Sequence, residues 1–170
     1  MNEILLTGNL GDTYIKCNNY SLALKCFMDQ LDKSSQLNDN NISSIIALEN
    51  VALTRMAMSH YEQAIGYFEQ QIALLDEFES TIKCHNNRKA KSHCHLGDCY
   101  HALNDYDEAI KCFANYLSLS TSTEDQEKAY RSLGKCYQLV NNLSQALVAY
   151  EKRLVLAHEL GFYSIPTPVA

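Results

Sequence analysis

Proline is almost missing from this chain. Of its 170 residues only Pro166 and Pro168 are proline, so Met1 to Ile165 contains none of the residue that breaks helices. Glycine is scarce, six in all, and tryptophan does not occur. A stretch of that length without proline is easiest to build from helices. Positive charge is in deficit as well: 14 Lys plus Arg stand against 20 Asp plus Glu, a formal charge of −6. That balance argues against a nucleic acid held by phosphate contacts and makes protein the expected partner. No apolar run approaches the roughly 18 to 20 residues of a membrane-spanning helix. Met1-Asn2-Glu3-Ile4-Leu5-Leu6 lacks the charge and the apolar length of a signal peptide, so an intracellular, cytoplasmic protein is expected. The seven cysteines, odd in number and scattered through helix-like text, do not read as a disulfide framework and are expected to be reduced.

What is present is enough apolar residue for a core, 46% of the chain, arranged in a repeat. Four segments share one spacing: Leu10-Gly11 with Tyr14, Tyr20, Ala23 and Phe27; Val51-Ala52 with Arg55, Tyr61, Ala64 and Phe68; Leu96-Gly97 with Tyr100, Tyr106, Ala109 and Phe113; Leu133-Gly134 with Tyr137, Leu143, Ala146 and Tyr150. Leu10, Gly11 and Tyr14 share a face of a first helix, and Tyr20, Ala23 and Phe27, at i, i+3 and i+7, share a face of a second. Each repeat therefore reads as a helical hairpin. Asn18-Asn19, Ser59-His60, Asn104-Asp105 and Asn141-Asn142 fall between the two helices, polar pairs suited to ending one and N-capping the next. The small residues let the axes approach to about 8 to 9 Å.

Equivalent alanines are 41, 45 and 37 residues apart. The slack falls in connectors such as Asn38–Asn41 and Ser118–Thr123, where Thr121 and Glu124 have capping-box spacing. Helices are expected over 3–17, 20–36, 42–58, 61–79, 87–103, 106–119, 124–140 and 143–160. The repeats then span 3–41, 42–84, 85–120 and 121–160, with 161–170 a non-repeat, non-helical tail.

The pattern Leu-Gly-x-x-Tyr followed by Tyr-x-x-Ala-x-x-x-Phe resembles the tetratricopeptide repeat from Leu5 to about Leu160. The resemblance implies an all-α fold, a right-handed α-solenoid of about four hairpins. No repeat carries the proline that usually closes the second helix, and the spacing exceeds the standard of about 34 residues. Both features resemble the long-repeat subgroup typified by the LGN/Pins proteins. Tyr61–Gln71 and Tyr150–Gly161, and beside them Leu96–Tyr100 and Tyr106–Lys111, are similar to a very large scaffold of that subgroup. That likeness implies a protein-binding scaffold in mitosis or cytokinesis, at the spindle midzone. The alternatives are a structural segment of a larger solenoid without its own ligand, and an LGN-like adaptor in G-protein signalling.

In stacked hairpins the first helices line the concave groove, so partner-reading residues should come from them. Carrying the groove positions over gives Asn9 and Asp12, Glu49 and Asn50, Lys91, His95 and Asp98, and Lys128, Arg131 and Lys135. Lys128, Arg131 and Lys135 form a basic stripe at i, i+3 and i+7, with Lys91 as a neighbour, and an acidic peptide would suit it. Asp12 and Glu49 would give the groove opposite charge in its N-terminal half and orient the peptide. Arg131 leads because a guanidinium holds a carboxylate in a two-point fork. The same charges also fit an ordinary solvated helix face.

No Gly-x-Ser-x-Gly elbow, phosphate-cradling glycine loop or His-Glu-x-x-His occurs, so neither an enzyme nor a cofactor is expected. Cys84-His85, His93-Cys94-His95 and Cys99 raise the question of zinc. There is no Cys-x-x-Cys pair, however, and Cys99 recurs as Cys136 and Cys112 as Cys26, which reads as packing rather than ligation; no metal is expected. The last second helix carries Leu147, Val148, Leu154, Val155 and Leu156 with no capping helix after it. An exposed apolar face there, and self-association through uncapped ends, are the expectation.

Overall fold

The computed structural model describes residues 2–36, 42–77 and 83–161, and for Asn2 and residues 83–85 the backbone alone. Among the described residues there are eight α-helices and no strand: α1 (Asn2–Lys16), α2 (Tyr20–Gln36), α3 (Ile42–Ala57), α4 (Tyr61–Glu77), α5 (Lys83–Ala102), α6 (Tyr106–Leu119), α7 (Thr123–Leu139) and α8 (Leu143–Glu159). The chain divides into two compact units, Met1–His85 and Asn86–Ala170, each holding two hairpins. Helix ends fall within two residues of expectation, except that α5 begins at Lys83 rather than 87. The connector over 38–41, the side chains of Cys84 and His85 and the tail over 162–170 lie outside the described residues.

The hairpin turn is the same device four times. Asn18, Ser59, Asn104 and Asn141 take the left-handed conformation, with φ of 57°, 61°, 62° and 59°. Asparagine tolerates this region better than most residues, and here it does what glycine does at other helix ends. In the third hairpin the Asn104 amide donates to the His101 carbonyl and the Asp105 amide to the Tyr100 carbonyl, satisfying the last turn of α5. The next residue then caps the second helix. Asn19 accepts from the Leu22 amide, Asp105 from Glu108 and Asn142 from Gln145. Two residues thus close one helix and open another. The first tyrosine of the second helix secures the arrangement, its hydroxyl donating to the left-handed asparagine: Tyr20 to Asn18 at 3.3 Å and Tyr106 to Asn104 at 2.7 Å.

Within each hairpin a ring lies on bare backbone. A Cβ built on Gly11 would stand 2.4 Å from Phe27, one on Gly97 2.6 Å from Phe113, and one on Gly134 2.6 Å from Tyr150. In the second hairpin Ala52 and Phe68 fill the same positions, both fully buried. Ala23, Ala64, Ala109 and Ala146 are buried as their close-approach role requires. Neighbouring hairpins join within each unit, α2 packing on α3 and α6 on α7. Phe27, Ala23 and Val51 form one cluster, and Phe113, Leu133, Cys136 and Ala149 another.

The expected capping box at Thr121 and Glu124 is corrected by one residue. Ser122 is the N-cap of α7, its hydroxyl accepting from the Asp125 amide at 3.1 Å and donating to the Asp125 carboxylate at 2.7 Å. The shift has a tertiary cause: it places Asp125 where the Tyr116 hydroxyl of α6 donates to it at 2.8 Å.

Candidate functional site

Seven residues after each conserved-register alanine stands a polar side chain that crosses to a first helix: Gln30, Gln71, Tyr116 and Arg153. Gln71 is fully buried and donates to the Ile45 carbonyl and to Glu49. Tyr116 reaches Asp125, and Arg153 donates to the buried Glu127 carboxylate at 2.6 Å. Glu127 occupies the position held by buried Ile4, Ile45 and Ala90 in the other hairpins, so only the last one places a carboxylate there, neutralised by its own α8. Sequence spacing marks this position, but glutamine, tyrosine and arginine differ in chemistry and hide its common task.

In the second unit, α5 and α7 present the charges that the sequence singled out. Lys128, Arg131 and Lys135 are exposed along one face of α7, and Lys91 is exposed on α5. Burial works to raise the pKa of Asp125, but hydrogen bonds from Ser122 and Tyr116, together with the charges of Lys128 and Lys91, hold it below its ordinary value. Asp98 on α5 behaves oppositely. Burial raises its pKa, against the pull of His95, His101, Arg131 and Lys135. The basic stripe therefore has a half-buried carboxylate beside it, which takes up part of the field of Arg131 and Lys135. His95 is half-buried on the same face of α5.

In the first unit, α1 and α3 are in contact. Asn9 and Asp12 are exposed on α1, while Glu49 and Asn50 are half-buried on α3. Glu49 is engaged by the Gln71 amide at 3.4 Å, and the Asn50 carbonyl accepts from Thr54. Glu49 is thus committed in part to joining α3 to α4.

Burial pushes the thiols of Cys94 and Cys99 up to about 12 and that of Cys136 up to about 11, so at neutral pH they are protonated and weakly nucleophilic. Cys99 and Cys136 are fully buried at equivalent positions, as packing residues would be. Among the described residues no three His, Cys, Asp or Glu side chains are grouped to hold a metal ion, and no helix is long and apolar enough to cross a membrane.

The apolar face expected on α8 is present: Leu143, Leu147, Val148, Leu154 and Val155 are exposed, and Leu156 is half-buried. On α1, Leu5, Leu6 and Leu10 are exposed too.

Family models described as tetratricopeptide repeat match residues 8–32, 47–80 and 88–157, between them most of the chain. Among curated proteins, Intraflagellar transport protein 88 homolog from Homo sapiens is 23% identical over 126 residues, which take in 74% of this chain but 14% of that protein. Among solved structures, BtubC (BKLC) from P. vanneervenii has a TM-score of 0.81 at 15% identity, over 98% of this chain and 68% of that one. Aspartyl phosphate phosphatase F from Bacillus subtilis has a TM-score of 0.80 at 13% identity, over 94% and 41% of the two chains. A kinesin light chain of nearly identical TPR-like repeats from Podosopora anserina has 0.76 at 14% identity, over 97% and 79%. These structural likenesses bear on the fold alone.

Proposed function

Because the chain belongs to the tetratricopeptide repeat family, whose hairpins serve as protein-interaction scaffolds, we propose that it is a non-catalytic adaptor that binds an acidic peptide on the α5–α7 face. The observation that supports this most is the exposed run Lys128, Arg131 and Lys135, three cations on one face of α7 with Lys91 exposed on α5. An extended or helical peptide would set its carboxylates against that row, Arg131 gripping one of them in a fork. Screening a library of short acidic peptides tests the proposal. Arg131→Ala and Lys135→Ala should each weaken a binder about tenfold, the effect of one charge-assisted hydrogen bond, with the helical circular dichroism unchanged. Affinity that survives both substitutions removes the site.

The resemblance of Tyr61–Gln71 and Tyr106–Lys111 to tetratricopeptide repeat protein 28, in the LGN/Pins-like subgroup, supports a role in cell division at the spindle midzone. A second reading, a segment of a larger solenoid in intraflagellar transport, is favoured by the match to Intraflagellar transport protein 88 homolog. Affinity purification from dividing and from ciliated cells separates the two by which set of proteins is recovered. The exposed apolar faces of α1 and α8 we read as association surfaces.

A further inference from the structure

Two aspartates lie beside the basic stripe, and their surroundings differ. Asp125 accepts hydrogen bonds from the Tyr116 hydroxyl at 2.8 Å and the Ser122 hydroxyl at 2.7 Å, so its charge is met inside the protein. Asp98, half-buried towards the C-terminal end of α5, is served by charge alone: His95, His101, Arg131 and Lys135 act on it, but no described side chain donates a hydrogen bond to its oxygens. Burial without a donor is what holds its pKa above the ordinary value. A peptide laid across the face takes more water from Asp98. A uniformly acidic one would leave that carboxylate desolvated, unbonded and facing like charge. Resting on the peptide reading of the α5–α7 face, we propose that its ligand is a peptide of mixed charge, with carboxylates for the cations of α7 and one lysine or arginine seated on Asp98.

The positions set a register. Lys91 and Asp98 are seven residues apart on α5 and share a face, about 10 Å from one another along the axis. Lys91 and Lys128 both act on Asp125 and so mark one end of the site, while Arg131 and Lys135 act on Asp98 and mark the other. Cys94, between Lys91 and Asp98 on α5, feels Asp98 and Asp125, Lys128 and Arg131, and so spans the two ends. The step from the Lys91 and Lys128 end to Asp98 is about three residues of an extended peptide or about seven of a helical one. The ligand's cation stands that far from its leading carboxylate. Asp98 also repels a further acid at this place, so it selects against the unbroken acidic runs that three cations on α7 would otherwise accept.

A lysine scan tests this on the full chain. The parent is the tightest glutamate-rich peptide from the library; lysine replaces each of its residues in turn, and Kd is read by fluorescence anisotropy for wild type and Asp98→Asn, with Asp98→Ser used should the first variant lose helical circular dichroism. Lysine is expected to weaken binding at most positions, but to tighten it about tenfold at the one that meets Asp98, the effect of one charged hydrogen bond. In Asp98→Asn that gain is lost, while the parent itself binds more tightly. A scan with no tightening position, or a gain that survives in Asp98→Asn, overturns the mixed-charge ligand and leaves the acidic-peptide reading standing. A parent that binds wild type, Arg131→Ala and Lys135→Ala alike, or a library with no binder, overturns that reading and the proposal with it.

Discussion

Asp98 and Asp125 flank the same basic stripe from opposite electrostatic conditions, and their titration should pull stability in opposite directions. The Asp125 pKa is lowered on folding, so its contribution is present above the ordinary carboxylate value of 3.8 and is lost as pH falls through its lower folded value. The Asp98 pKa is raised, so its contribution is present below the ordinary value and lost as pH rises through the folded one. At neutral pH, Asp125→Asn should therefore destabilise, by about 1 kcal/mol for a weakened charged acceptor, and Asp98→Asn should stabilise. Both differences from wild type should shrink on acidification, which thermal midpoints measured across that range would show. Asp98→Asn should also tighten an acidic peptide by releasing Arg131 and Lys135. The charges of the stripe were legible from i, i+3, i+7 spacing alone, because spacing fixes a helix face. The half-burial of Asp98 was not, since it depends on how α7 lies against α5.

Helices were legible because a chain without internal proline has few ways to stop, and because small residues and rings recur in step. The turn pairs were legible as caps, although the left-handed conformation of the first member emerges only from the backbone. The capping box of α7 was misplaced by one because Thr121, Ser122 and Thr123 are three hydroxyls in a row with equal local claims; the Tyr116–Asp125 bond between helices decides among them. At Asn104, with φ of 62°, alanine should cost about 1 kcal/mol of strain, plus the hydrogen bond from Tyr106, whereas Asn104→Gly should relieve the strain and lose only the latter. Chemical denaturation would order them wild type and glycine above alanine. Gly97→Ala should be worse, about 1 to 3 kcal/mol, since the added Cβ would sit 2.6 Å from the Phe113 ring.

Across the molecule, four hairpins share one design and differ in what surrounds it. The position seven residues after each buried alanine is glutamine, tyrosine or arginine, so one hairpin geometry accommodates three chemistries there. The alanine spacings of 41, 45 and 37 residues show where length has been free to change. Each turn, by contrast, is three residues long in all four hairpins, its second residue in the left-handed conformation and its third directly before the second helix. Inserting a single residue there would break the hydrogen bonds that close the first helix onto the turn and start the second, pulling alanine and ring off the partner backbone. Genetic insertions and fused tags should accordingly survive between hairpins and be lethal to folding at Asn104-Asp105, a map that a transposon-insertion screen would draw directly.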